Sequence, residues 1–312
     1  MSHAKFLISL FAVAALVGCA NPHSGLKQAS GPPPLFEGMG HHFFWITTDV
    51  PEAQAYFNQG LTWAFAFNHD EAIRSFKEAA RYDPSCAMAY WGIALCNGPH
   101  INNPIMTPDR SLAAWDAVVK ARSLKENCNY REQQLIEAVA ARYAPAHPED
   151  RRPLDEAYAA AMKDMYEMNI NDADMGTLYA ESLMDLQPWD LWNKDGSPKG
   201  NTNEILALLE QAMKINPQHP GANHLYIHAV EASTAPERGI ASADRLRDMV
   251  PISGHLVHMP SHIDVQVGRW PMAADQNEKA IAADRAYREI SPKQGFTICT
   301  WRTTIIFLLS RA

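Results

Sequence analysis

Pro84 and Pro251 occupy the same place in two 34-residue units of this chain. With Ala53 as position 1, Tyr56, Gly60, Ala72, Phe76, Ala79 and Pro84 fall at positions 4, 8, 20, 24, 27 and 32. The unit from Pro220 to Ser253 again has its proline, Pro251, at 32, and a further unit opens at Gly254, with Gly268, Trp270, Ala273 and Ala280 at 15, 17, 20 and 27. A repeat of this length is one supersecondary unit that cannot bury its apolar face alone, so neighbouring units must stack. Within 53–85 the apolar residues recur at helical spacing in two blocks split by Asn68-His69. Two antiparallel helices are predicted, with small residues at 8 and 20 allowing close approach, Phe76 filling the gap, and Pro84 ending the second helix.

This pattern resembles the tetratricopeptide repeat, and the fold expected over 51–295 is an all-α solenoid of tetratricopeptide-type helical hairpins. Between 108 and 185 the register drifts, but "SLAAWDAVVKARSL", "REQQLIEAVAARYA", "LDEAYAAAMKDMYEM" and "MGTLYAESLMDL" each offer one apolar face. Thr107-Pro108 reads as an N-cap with proline in the first turn, and Asn68 or Asp70 as the cap of the helix that follows. "PWDLWNKDGSPKGNTNE" interrupts the helices with a turn. Its Trp189 and Trp192 are expected to cover a helix end, with stacking on a ligand as the alternative.

Thirteen histidines are present, and five lie in "NHLYIHAVEAS" and "GHLVHMPSHI". His224 and His228 take positions 5 and 9 of one unit, and His258 and His262 take 5 and 9 of the next. Residues four apart share a helix face, and stacking brings the first helices of neighbouring units together. Four imidazoles are therefore expected to converge, with Glu231 extending the face by a turn and His255 and His219 at its mouth. Imidazoles with a carboxylate suit zinc, copper, iron or manganese, and each ligand needs an orienting partner, for which Asp264 or Asn223 is available. Packing against backbone carbonyls and recognition of a peptide's carboxylates stand beside metal binding as alternatives. Pro260 disfavours helix at the residue before it, and if the helix begins at Pro260, His258 sits in the preceding loop, from which it could still reach a metal. His69, in the turn of the first repeat, and His100, in "GPHINNP", are possible additional site residues. His41-His42 precede an apolar run expected to dock on the solenoid.

"FNHDEAIRSFKEAARYDPSCAMAYWGIAL", "HPGANHLYIHAVEAS" and "GHLVHMPSHIDVQVGRW" together resemble a family of bacterial tetratricopeptide-repeat proteins, often exported, over about 41–296. In such repeats positions 2, 5, 9, 12 and 13 of the first helix line the concave surface. The resemblance thus implies that His255, His224, His258, His228, His262, Glu231 and Gln266 face inward. It supplies no reaction. It also implies a further repeat beyond "AIAADRAY" with a phrase like "YYxHNxHF", where this chain reads "QGFTICTWRTTIIFLLSRA". A single-base shift near Phe296 would encode histidines there, so 296–312 is expected to be an out-of-frame tail.

The amino end reads as a secretory signal over 1–18, with Lys5 and a mostly apolar run from Phe6 to Val17. "LVGC" at 16–19 resembles a lipobox, which implies lipid on Cys19 and a membrane anchor on the periplasmic side without a spanning helix. Residues 19–50 read as a tether. The formal charge of −8, without a basic stripe, argues against nucleic acid as a partner. Cys86, Cys96, Cys128 and Cys299 are expected as unpaired, mostly buried thiols. Without a nucleophile–base pair or phosphate-binding loop, serine hydrolase and kinase chemistry are poor fits. The expected function is a membrane-anchored repeat protein whose histidine-rich concave face binds a transition metal. The rivals are a metal-dependent hydrolase or oxidoreductase, with Glu231 as ligand or base, and a scaffold that holds a protein or peptide in its groove.

Overall fold

The computed structural model describes residues 31–292, which are all-α and contain no strand. Six helical hairpins follow one another. The first is α1 (Pro51–Phe65) with α2 (His69–Tyr82), and the second is α3 (Ala87–Asn97) with α4 (Pro108–Leu124). Then come α5 (Tyr130–Ala141) with α6 (Arg152–Met168), and α7 (Ala173–Asp185) with α8 (Thr202–Ile215). The last two are α9 (Pro220–Val230) with α10 (Ile240–Leu246), and α11 (Gly254–His258) and α12 (Pro260–Gln266) with α13 (Trp270–Ile290). Each hairpin packs on itself and the next, so the tetratricopeptide-type solenoid expected from the repeat is the fold observed. The lipobox with Cys19, the signal and the 296–312 tail lie outside the described residues. No described helix is long and apolar enough to cross a membrane.

The repeat positions do what their chemistry requires. A Cβ at Gly60 of α1 would fall 2.7 Å from the Phe76 ring, and one at Gly92 of α3 would fall 2.6 Å from it. Phe76 is fully buried between these two glycines, so the spacing seen in sequence is a ring clamped by two helix backbones. Asn68 caps α2 by accepting from Glu71 N at 3.3 Å, and Thr107 caps α4. Cys86 and Cys96 are buried free thiols and Cys128 a half-buried one. Burial pushes Cys86 up to about 11, consistent with packing roles.

The repeat did not foretell that the superhelix turns back on its own start. Helix α9 rests on α1, where a Cβ on Gly221 would come 2.5 Å from the Phe65 ring. Tyr287 of α13 and Ser291 each donate to Glu71 Oε2 at 2.6 Å, and Phe36 and Trp63 pack on the Tyr287 ring. From Pro33 onward, the segment read as a tether is a strap along α1. Tyr56 Oη donates to Pro33 O, and Gln59, Asn58 and Gln54 accept from the backbone N–H of Phe36, Phe44 and Ile46. Phe36, Phe44 and Ile46 are buried beneath it, so the apolar run after His41-His42 docks as expected.

Candidate metal centre

The inner helices of the last two hairpins meet the end of α1, and the histidines converge there. Both H-x-x-x-H pairs sit on helices, because Met259 keeps helical dihedrals (φ −51, ψ −40) and Pro260 only breaks the ladder between α11 and α12. His258 is therefore not in a loop, and its Nε2 lies 3.0 Å from His262 Nε2. His224 Nε2 lies 3.0 Å from His255 Nε2. One ring nitrogen from each of His224, His228 and His255 falls within 4.8 Å of the others. The exposures of His224, His228 and His258 are 0%, 4% and 2%, so the cluster lies in the interior rather than on an open groove.

The other ring nitrogens fix the tautomers. His224 Nδ1 donates to Phe65 O at 2.6 Å, one of the end carbonyls of α1 that has no helical partner. His228 Nδ1 lies 2.9 Å from Glu231 Oε1, and His262 Nδ1 lies 2.6 Å from Glu231 Oε2. His258 Nδ1 lies 2.5 Å from Asn277 Oδ1, whose amide nitrogen is committed to Ala273 O at 2.8 Å. Each Nδ1 must carry the proton it donates, which leaves a lone pair on each Nε2 of the neutral ring. The His228 Nε2 is buried and has no hydrogen-bond partner among the described residues.

Electrostatics follow from this arrangement. Burial lowers His228 below the usual histidine value, against the raising effect of Glu231. Burial and the neighbouring His262 push His258 down to about 3. Burial also works against the charged form of His262, but the Glu231 charge and hydrogen bond outweigh it and raise the ring. Burial would raise Glu231, yet the two histidines hold it well below the carboxylate range. Glu231 is thus a buried carboxylate with both oxygens on ring N–H groups.

Several expected partners lie elsewhere. Asp264 pairs with Arg247 at 2.8 Å, Asn223 donates to Pro217 O and His219 O, and Gln266 is exposed. The orienting groups are instead Phe65 O, Glu231 and Asn277, of which only Glu231 was among the sequence candidates. His219 leaves the cluster because it caps α9: Ala222 N donates to its Nδ1 at 3.1 Å. Its Nε2 therefore carries the proton and points at Asp174 Oδ1, 3.2 Å away, and His42 Nε2 of the strap approaches the same oxygen at 3.0 Å. His42, Asp174 and His219 are close enough to surround an ion. With its Nδ1 accepting a backbone N–H, however, His219 offers a proton rather than a lone pair, so this group reads as a strap latch.

His69 and His100 form a neighbouring pair, their ring centroids 4.3 Å apart. Phe67 separates them from the main cluster, with its ring 4.6 Å from His100 and 4.5 Å from His224. Phe67 and Trp189 are the two non-glycine residues with positive φ among those described, at +57° and +61°. Both bring an aromatic ring onto these histidines, Trp189 edge-on to His228 at 5.0 Å. A bulky side chain in this backbone region is strained, and such strain clusters at functional sites. Trp192 donates to Ala229 O at 2.8 Å and so covers the end of α9 as expected.

No protein family's sequence profile matches the chain, and no curated protein does. Among solved structures, a tetratricopeptide protein, YrrB, described as having an unusual peptide-binding site, aligns at 12% identity with a TM-score of 0.34. The alignment covers 74% of this chain and 86% of YrrB.

Proposed function

We propose that this protein is a metal-binding helical-repeat scaffold that holds a transition-metal ion between its last two hairpins, among His224, His228 and His255, whose ring nitrogens come within 4.8 Å of one another, with His258 and His262 as the adjoining pair. One observation carries this reading: in both H-x-x-x-H pairs, every Nδ1 is hydrogen-bonded to an acceptor, so every Nε2 offers a lone pair. Metal-ligating histidines have this arrangement, with the outer nitrogen tied to a carboxylate or carbonyl. Two nitrogens around a tetrahedral ion with metal–nitrogen bonds of about 2.0–2.1 Å lie roughly 3.3 Å apart. The 3.0 Å between His224 and His255, and between His258 and His262, is close to that.

In this reading Glu231 orients His228 and His262 instead of binding the ion. Zinc, copper, iron and manganese all accept imidazole, and burial of the rings favours an ion over a peptide as occupant. The ion would supply Lewis acidity when bound; no substrate or reaction is assigned to it. We further propose export and lipid attachment at Cys19, from the lipobox-like sequence. Titration of metal-free, untagged protein with cobalt(II) tests the centre. Saturable visible bands at one equivalent or more support it, and their absence at micromolar protein removes it.

A further inference from the structure

We infer that the strap positions the candidate ligand His224 through Phe65, with His42 and His219 as the groups that hold the Phe65 ring. The consequence for an ion rests on the metal reading; the positioning itself does not.

The contacts run from the strap to a ring nitrogen of the centre. His42, its side chain 3% exposed, lies with Nε2 3.0 Å from Asp174 Oδ1, the oxygen that also faces His219 Nε2 at 3.2 Å. Sharing one carboxylate oxygen brings the two imidazoles together, with 4.8 Å between their centroids. Both meet the buried Phe65 ring at steep angles, His42 at 5.4 Å and His219 at 5.0 Å. Gly221 abuts the same ring, where a Cβ would come within 2.5 Å of it.

Phe65 ends α1, and a carbonyl in the last turn has no partner in its own helix. Its direction is therefore set by whatever holds residue 65, which is the clamp on its ring. This carbonyl accepts from His224 Nδ1 at 2.6 Å, and that bond leaves the His224 Nε2 lone pair toward His255 Nε2, 3.0 Å away. His219 acts on α9 in a second way, because its Nδ1 caps the helix that carries His224 and His228. Without a fixed acceptor a neutral imidazole populates both tautomers. Phe65 and His42 are thus positioning residues, one in contact with His224 and one acting through the other.

The test reads the His224 tautomer in metal-free full-length chain labelled at histidine nitrogen, by long-range proton–nitrogen NMR, with the signal assigned by its loss in His224→Gln. The parent is expected to hold His224 as the single Nδ1–H tautomer. His42→Ala should give a mixture, and His42→Gln, whose amide nitrogen can stand where Nε2 stood, should restore the single form. Phe65→Leu, which keeps an apolar side chain but no ring to clamp, should give the mixture even if His42→Ala loses helicity by circular dichroism. A single Nδ1–H tautomer retained in the folded His42→Ala and Phe65→Leu variants overturns the positioning, as does a mixture in the parent. Cobalt(II) affinity should fall roughly fivefold or more in His42→Ala and recover in His42→Gln, as for two coupled sites; an affinity equal to the parent's overturns the link. A parent that binds no cobalt while its tautomers respond as expected counts against the metal centre and leaves the positioning standing.

Discussion

His258 and His262 face each other through their Nε2 atoms at 3.0 Å, while each ring's Nδ1 is held by an acceptor, Asn277 for one and Glu231 for the other. Two lone pairs at that separation repel unless a cation lies between them. Without metal a proton can take that place, and Glu231 favours the charged form of His262 over that of His258. With metal, the ion takes its place, so acid and metal should compete for one position.

Glu231 is the test of the orienting shell. Glu231→Gln leaves one oxygen for two ring N–H groups and turns the other position into a donor, so one of His228 and His262 loses its tautomer. Metal affinity should drop about 10- to 100-fold, read by competition with a chelator. An unchanged affinity would mean that neither ring depends on the carboxylate.

The metal-free fold should be acid-sensitive well above the carboxylate range. Burial holds His69 and His258 at about 3, and holds His219 and His228 below the usual value. These rings are neutral when folded and take up protons on unfolding below about pH 6.5. Their stabilisation is present above that pH and is lost as pH falls toward 3, by up to about 1.4 kcal/mol per pH unit for each proton. His262, raised by Glu231, works in the opposite sense. Urea midpoints should fall between pH 7 and pH 5, and a flat profile would contradict the buried, neutral rings.

Phe76 bears on the hairpin core. Phe76→Ala empties the space between Gly60 and Gly92 and should cost about 3–5 kcal/mol in urea unfolding. A loss under about 1 kcal/mol would mean that the two glycines are not placed by this ring.

The proposed lipid anchor can be tested apart from the fold. Cys19→Ser should move the protein from the membrane fraction to the soluble fraction and abolish labelling by a fatty-acid probe. Unaltered partitioning would remove lipid attachment at this cysteine.

The hairpins were legible because the 34-residue spacing is local, and Gly60, Phe76 and Pro84 act within one unit. Equal register likewise places His224, His228, His258 and His262 on adjacent inner helices, though the three nitrogens that come within 4.8 Å of one another belong to His224, His228 and His255. The closure was not, because Gly221 against Phe65 and Tyr287 on Glu71 join residues over a hundred positions apart. The orienting shell followed from that closure: Phe65 O reaches His224 only because α9 rests on α1, and Asn277 lies on α13, outside the motif. Pro260 misled because a proline-broken helix kept its course when packed against α13. The positive φ at Phe67 and Trp189 carried no sequence signal, since at an aromatic residue it is set by tertiary packing rather than local preference.

Metal content of the untagged full-length protein, measured by mass spectrometry after purification and again after substitution of His228→Ala with His262→Ala, bears most directly on the centre. About one or more equivalents of zinc, copper, iron or manganese in the parent, falling at least tenfold in the folded double variant, is the expected result. A parent that binds none of these even when they are supplied, or a double variant that retains the parent's content, would contradict it.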